Sequence, residues 1–143
     1  MIIISHRGNI DGPSKLRENN PKCIKELLNQ NIPVEIDVRY SNGFWLGHDK
    51  RQYKISQDFL VDNRTKLWIH CKTPETLEYF NTHLSIINMN YFYHNNDNYT
   101  LTSQKIIWCH PKAKPLRNSV FLDFSSNPNY SLDVYGLCVD KLP

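Results

Sequence analysis

The sequence predicts an α/β fold, a reduced TIM-type (β/α) barrel with shortened or missing helices in its C-terminal half. Short runs of β-branched and aromatic residues recur along the chain, and several of them are apolar throughout, as in strands of a buried parallel sheet. Two stretches of helical periodicity separate the first runs. The chain has 143 residues, of which 40% are apolar and 22% charged. We therefore expect one globular domain spanning residues 1–143.

Eight runs are predicted as strands because they combine β-branched and aromatic residues between turn signals. They are residues 1–5, 34–40, 44–48, 66–71, 91–94, 105–109, 119–124 and 135–140. The Asn42-Gly43 step between the second and third runs favours a two-residue hairpin. A local antiparallel ribbon should therefore follow the second parallel strand.

Two helices are predicted in the front half of the chain. Pro21 precedes the stretch KCIKELLNQ, whose apolar residues recur at helical spacing, and proline suits a first helical turn. Thr73 precedes Pro74 and gives the second helix its N-cap. These helices alternate with strands, as in a parallel sheet covered by helices.

The rear half of the chain has no room for full helices. The gaps 95–104, 111–118 and 125–134 are shorter than the dozen or so residues that a parallel crossover usually needs. We expect single turns or bare loops there, and a barrel with seven strands or incomplete closure. A second subunit would be a reasonable cover for this exposed rear, so a homo-oligomer is an open expectation.

Charge, cysteines and hydropathy narrow the class of protein. The formal net charge is +3 and Lys and Arg are scattered, so no clustered nucleic-acid footprint is expected, although nucleic acid stays open as a substrate. The four cysteines form no C-x-x-C pair and lie mostly in apolar runs, which predicts free thiols. The apolar start, residues 1–4, is too short for a signal peptide and no run suits a transmembrane segment, so we expect a cytoplasmic protein.

Ionisable residues follow the first two predicted parallel strands. His6-Arg7-Gly8 ends the first strand, where catalytic groups of α/β barrels lie, although a histidine at a simple turn is an equal alternative. Glu35 and Asp37 are two apart on the second strand and point to the same side of the sheet. Two buried like charges need a cation, so the pair predicts a divalent metal or a salt-bridged core, with a solvated strand face as the plain alternative.

Three further residues belong to the same predicted rim. His48 follows the hairpin strand, and as a lone feature it would be a surface residue. His70 and Lys72 alternate on the next parallel strand, where a lysine would meet a phosphate or a carboxylate unless it faces solvent. Two imidazoles, two carboxylates and two cations together fit phosphoryl transfer, in which one imidazole deprotonates the nucleophile and the other protonates the leaving alcohol.

These motifs, taken in order, resemble the glycerophosphodiester phosphodiesterase family of phospholipase-C-like α/β barrels. The family's His-Arg-Gly, Glu-Asn-Thr, Glu-x-Asp-Val and His-Asp motifs are similar to ISHRGN, ENNP, EIDV and GHD here, and its Glu-x-Lys is similar to HCK. The ending YGLCVDKLP also looks like the family's last barrel strand. The resemblance covers residues 2–72 well, whereas the family's inserted small domain and full outer helices have no counterpart.

The resemblance implies metal-dependent hydrolysis of a glycerophosphodiester or a similar small phosphodiester. It implies that His6 and His48 are the acid–base pair. It also implies that Glu35 and Asp37 are metal ligands and that Arg7 and Lys72 bind the phosphate.

His70 and Trp108 need separate treatment. His70 stands where the family has an acidic ligand, so it is the third candidate metal ligand; Mg²⁺ or Ca²⁺ suits the carboxylates, and Mn²⁺ or Zn²⁺ stays open because of the imidazole. Trp108 either contacts the substrate or is a core tryptophan. A catalytically impaired module that binds a phosphorylated ligand, and a lyase that releases a cyclic phosphate, are the alternative functions.

Overall fold

The computed structural model describes residues 1–84 and 87–143, which form an α/β fold with a mixed sheet of ten strands and three helices. In chain order the elements are β1 Ile2–His6, α1 Pro21–Asn29, β2 Val34–Tyr40, β3 Phe44–Leu46, β4 Tyr53–Ile55, α2 Gln57–Asp62, β5 Leu67–Cys71, α3 Pro74–His83, β6 Asn90–Phe92, β7 Tyr99–Leu101, β8 Ile107–Cys109, β9 Ser119–Asp123 and β10 Gly136–Val139. Strands occur in all eight predicted runs. None of the helices in the described residues has the length and apolar character needed to cross a bilayer.

Seven of the strands are parallel neighbours, in the order β6-β5-β2-β1-β10-β9-β8. Antiparallel strands flank them: β3 pairs with the end of β2, β4 pairs with β3, and β7 pairs with β8. Within the described ranges no ladder joins β6 to β8, so the sheet is not closed and the predicted reduced TIM-type barrel is not confirmed. The physical reason is local, because β7 occupies the edge of β8 that closure would require.

Both predicted helices are confirmed, and their caps explain their starts. The Asn20 side chain accepts a hydrogen bond from the Lys22 N–H at the start of α1, and the Thr73 hydroxyl accepts one from the Thr76 N–H at the start of α3. A proline occupies the first turn of each helix. The helices contact β2, and α3 also contacts β5 and β6, so they cover the outer face of the front strands.

Two short strands and one helix were not predicted. The strands are β4 and β7, and the helix is α2, which Ser56 caps. Each is a run of three to six residues, too short for a periodic pattern to emerge. The described parts of the three rear gaps contain no helix, as predicted, although β7 lies within the first of them.

The inner face of the parallel strands, opposite the helices, carries its own apolar cluster. It joins side chains from six strands: Ile4, Trp68, Phe92, Trp108, Val120, Leu122 and Cys138. The rings of Phe92 and Trp108 lie 4.6 Å apart and connect β6 with β8 across the open edge. This cluster is the floor beneath the functional groups.

Candidate functional site

On five of the parallel strands, a polar residue stands two positions after the residue that packs in the floor. Alternation along a strand returns the side chain to the same face, so each of these residues stands above a floor residue at the carboxyl end of its strand. The pairs are Ile4 and His6, Trp68 and His70, Phe92 and His94, Trp108 and His110, and Cys138 and Asp140. The sheet thus gathers five ionisable groups around the carboxylates of β2.

Glu35 and Asp37 form the acidic centre of this layer. Their side chains are 3% and 0% exposed, and together with His70 they offer ligand atoms that all lie within 4.8 Å of one another. Oε2 of Glu35 and Oδ1 of Asp37 are buried and accept no hydrogen bond from any described residue. Such atoms are costly without a partner. The three residues could therefore hold a metal ion, and their oxygen and nitrogen donors fit a divalent cation.

Asp37 is also the hub of an ion-pair cluster. Its Oδ2 lies 2.9 Å from Nε of Arg7, and its Oδ1 lies 3.5 Å from Nζ of Lys72 and 3.2 Å from Nδ1 of His70. None of these contacts is aligned as a hydrogen bond. Asn19 supplies the hydrogen bonds instead: its Nδ2 donates to Oδ2 at 2.9 Å, and its Oδ1 accepts the Asp37 N–H at 2.9 Å.

The surroundings shift the pKa values of the two carboxyl groups in opposite directions. Burial raises the pKa of Glu35, and the negative charge of Asp37 raises it further. Burial also raises the pKa of Asp37, but the nearby His70, Arg7 and Lys72 outweigh it and hold that pKa well below its usual range. Asp37 is therefore the permanent anion of the pair, and Glu35 is the group whose charge needs a further cation.

The backbone after β1 places Arg7 beside Asp37. Arg7 and Gly8 have φ values of 55° and 89°, both in the left-handed region, so the chain reverses sharply after His6. A second acidic contact, 3.7 Å from Nη1 of Arg7 to Oε2 of Glu18, holds the guanidinium from the other side. The sequence motif His-Arg-Gly thus corresponds to a turn that folds a cation over the acidic centre.

His6 is oriented by Asp140, a residue to which sequence reasoning assigned no role. Nδ1 of His6 lies 2.7 Å from Oδ1 of Asp140, which also accepts a hydrogen bond of 2.7 Å from Nδ2 of Asn9. Burial raises the pKa of Asp140, but the hydrogen bond and charge of His6 lower it more, so Asp140 is a carboxylate and Nδ1 carries the proton. In the neutral imidazole Nε2 is then the acceptor, and it lies 3.8 Å from Oε2 of Glu35.

His48 lies on the loop after β3 and is the most exposed of the predicted site residues. Its Nδ1 is 2.6 Å from Oδ1 of Asp49, and its charge and hydrogen bond lower the pKa of that carboxyl. Arg39 anchors the loop by donating hydrogen bonds to the carbonyl oxygens of Gly47, at 2.9 Å, and of His48. Gly47 has φ +151°, and a Cβ there would lie 1.9 Å from the Lys50 carbonyl oxygen, so only glycine fits.

One polar cavity of about 330 Å³ collects the predicted residues. Its lining includes every predicted site residue except Asp37, which lies beneath it: His6, Arg7, Glu35, His48, His70, Lys72 and Trp108. Trp108 is only 3% exposed and packs in the floor, so it is at once a core residue and part of the cavity wall. A larger, mostly apolar cavity of about 750 Å³ lies beside α1, but none of the site residues lines it.

Sequence reasoning missed four residues of this region. Asp140 and Asn19 orient His6 and Asp37, and His94 and His110 line the cavity. The rings of His94 and His70 stack at 4.4 Å, and burial together with His70 lowers the pKa of His94 to about 4, so His94 is neutral at pH 7. The signal that could have found three of them is the polar residue two positions after a buried one at each strand end.

In comparisons with known proteins, no family model, curated protein or solved structure matches the chain.

Proposed function

We propose that this chain is a metal-dependent phosphodiesterase, a short and divergent relative of the glycerophosphodiester phosphodiesterases on an open (β/α) barrel. One observation carries the proposal: an oriented histidine, two cations and the Glu35 carboxylate line a single small cavity, and the buried Asp37 carboxylate lies beneath it, with an unsatisfied oxygen on each carboxylate. The cavity volume of about 330 Å³ suits a small ligand. The substrate is a glycerophosphodiester or a diester of similar size.

The residues divide the chemistry between them. Glu35, Asp37 and His70 would hold the cation, which when bound supplies charge stabilisation to the phosphate oxygens. Arg7 and Lys72 lie on the same rim and attract the anionic diester. The donors are fixed before substrate arrives, so little reorganisation is needed at the moment of reaction.

His6 and His48 carry the protons. In the neutral form of His6, Asp140 holds the proton on Nδ1, so Nε2 can take a proton from the attacking water as the oxygen of that water bonds to phosphorus. Asp49, 2.6 Å from Nδ1 of His48, would stabilise the imidazolium form of His48, which gives its proton to the alkoxide as the other P–O bond breaks. The products are a phosphomonoester and an alcohol. Attack by a hydroxyl of the substrate itself would give a cyclic phosphate first.

The metal follows from the donor set. Two carboxylates favour the hard cations Mg²⁺ and Ca²⁺, whereas the imidazole of His70 adds a donor that Mn²⁺ and Zn²⁺ accept readily. We propose Mg²⁺ or Ca²⁺ as the working ion. Thermal melts with each of the four chlorides would rank them, because an ion that binds only the folded chain raises its melting temperature.

Phosphorus NMR of purified protein with glycerophosphocholine, glycerophosphoglycerol and bis-p-nitrophenyl phosphate tests the activity. We expect phosphomonoester signals that require added metal and that disappear in His6→Ala and in His48→Ala, while metal still raises the melting temperature of both variants. Accumulation of a cyclic phosphate as the final product would replace hydrolysis by lyase chemistry. No product from any diester with any of the four metals, in folded protein, would refute the proposal.

A binding module without catalysis is the second candidate, and the neutralisation of Asp37 favours it. Arg7, Lys72 and His70 already surround this carboxylate, so an anion can approach the cavity without a metal. Calorimetry with glycerol phosphate separates the two readings. Tight metal-independent binding with no turnover would support the module, and binding that requires metal would support the enzyme.

A further inference from the structure

One ribbon of the sheet carries a local excess of positive charge. Residues 39–54, here called the basic ribbon, contain four Lys or Arg residues and one Asp, which gives +3 and equals the formal net charge of all 143 residues. The cations are Arg39, Lys50, Arg51 and Lys54. Lys50 and Arg51 are adjacent in the sequence, whereas loop and aromatic residues separate Arg39 and Lys54 from them.

The strand register places part of the basic ribbon on the face of the sheet that carries the site. Arg39 is two residues after Asp37 on β2, so its side chain emerges on the same face as the acidic centre. Trp45 of β3 pairs with Arg39, and Lys54 of β4 pairs with Trp45. Directly paired residues share a face. Arg39, Trp45 and Lys54 therefore form a row that begins at the rim of the cavity.

Trp45 is the aromatic centre of this row. Cζ of Arg51 lies 5.7 Å and Nζ of Lys54 lies 5.8 Å from the centroid of its ring. Both separations are within the range of a cation–π contact. Trp45 is half-buried, whereas the other two tryptophans, Trp68 and Trp108, pack in the floor. The arrangement combines positive charge with a flat ring, the combination that binds single-stranded nucleic acid by phosphate contacts and base stacking.

The row starts close to the cavity and leads away from it. Arg39 donates a hydrogen bond to the carbonyl oxygen of His48, which lines the cavity. Strand spacing places Lys54 roughly 10 Å to the side of Arg39. A small glycerophosphodiester has no second phosphate to reach that distance, whereas a chain of phosphodiesters has further phosphates there.

We propose that the basic ribbon binds single-stranded nucleic acid and guides one of its phosphodiesters into the cavity. The inference rests on the proposed phosphodiesterase function and extends its substrates from small diesters to a polymer of phosphodiesters. An anionic membrane surface is the less favoured partner because Phe44 and Leu46 of the ribbon are 4% and 0% exposed, and residues 39–55, all of them described, contain no large apolar side chain in the exposed class.

Binding can be measured without turnover. Fluorescence anisotropy of a labelled oligothymidylate of about 12 nucleotides, in buffer free of divalent metal, reports binding to the full chain. Arg51→Glu combined with Lys54→Glu should weaken binding at least tenfold at low salt. Stacking of a base on Trp45 should quench tryptophan emission, so Trp45→Leu should weaken binding severalfold and abolish that quenching. Neither cation belongs to the proposed catalytic set, so hydrolysis of bis-p-nitrophenyl phosphate should be unchanged.

The matched control is Lys22→Glu combined with Lys25→Glu, two exposed lysines of α1 on the outer face of the sheet. This variant has the same change in net charge and should bind within about twofold of the parent chain. Where the Glu variants unfold, Arg51→Gln with Lys54→Gln removes the same cations without reversing charge. Equal weakening by both pairs, no oligonucleotide binding, or binding only to vesicles of phosphatidylcholine with phosphatidylserine would overturn the inference.

Failure of the inference and failure of the proposed function give different results. Hydrolysis of small diesters without binding through the basic ribbon would refute the inference alone. Binding through the basic ribbon without hydrolysis of any diester would refute the phosphodiesterase function and leave the binding surface standing.

Discussion

Asp140→Asn removes one charge from the site and leaves its shape almost unchanged. The side chain is isosteric, and an amide oxygen can still accept the hydrogen bond from Nδ1 of His6, which is now 2.7 Å long. Asn9 can still donate to the same oxygen. What disappears is the negative charge that stabilises His6 when it takes a proton in the transition state.

The size of the effect follows from this contact. A hydrogen bond to a charged group contributes about 1 kcal/mol more than a neutral one, and Coulomb attraction across about 4 Å at an effective dielectric constant of 20 is about 4 kcal/mol. These values bracket the loss of transition-state stabilisation. At about 1.4 kcal/mol per decade, kcat/KM should fall roughly 5- to 1000-fold, while metal binding stays intact because Asp140 is not one of the candidate ligands.

Steady-state kinetics on bis-p-nitrophenyl phosphate across pH is the assay, with a thermal melt to check folding. Asp123→Asn is the matched control, since Asp123 also ends a parallel strand but binds Ser125 and Asn129 of its own loop and not His6. Asp140→Asn with kcat/KM within about threefold of the parent chain, or equal losses in both variants, would refute the assigned orientation of His6.

The remaining predictions concern the acidic centre and its loop. Glu35→Gln should raise the melting temperature of metal-free protein at pH 7 and abolish the further rise with Mg²⁺. The pKa of Glu35 is raised in the folded chain, so its ionisation destabilises the fold as the pH rises above the unfolded value near 4.5. Calorimetric melts at pH 4 and pH 7 should therefore show a gain in stability only at the higher pH. His70→Asp should lower metal-free stability and raise Mg²⁺ affinity about tenfold or more, measured by titration calorimetry; unchanged affinity would remove His70 from the ligand set. Gly47→Ala should displace the His48 loop because its Cβ would meet the Lys50 carbonyl oxygen. We expect urea melts to show a stability loss of about 1–3 kcal/mol, together with reduced turnover. A fully active and equally stable variant would contradict the strained geometry.

Local sequence patterns predicted most of the elements and the centre of the candidate site. Proline and threonine signals located α1 and α3, and the two-residue spacing of Glu35 and Asp37 placed both carboxylates on one face. These features depend on neighbours in the chain, where capping and alternation act. They did not require knowledge of which strands pair.

Features that depend on the pairing of strands distant in the sequence could not be predicted from local sequence patterns. Asp140 reaches His6 only because β10 pairs with β1, and His94 meets His70 only because β6 pairs with β5. Closure stayed an open expectation for the same reason: the number of strand-like runs does not reveal that Tyr99–Leu101 will occupy the free edge of β8. Register and edge occupancy are tertiary properties, and they decide which single residues converge.

On each of these strands, the residue that packs in the floor and the residue that belongs to the site are different residues, two positions apart. On five strands one side chain fills the apolar floor, and the next on that face belongs to the polar layer around the acidic centre. Evolution or a designer can therefore exchange the upper residues at nearly constant core volume. A combinatorial library varied only at the positions of His6, His70, His94, His110 and Asp140 would sample new activities on one scaffold whose apolar floor is unchanged.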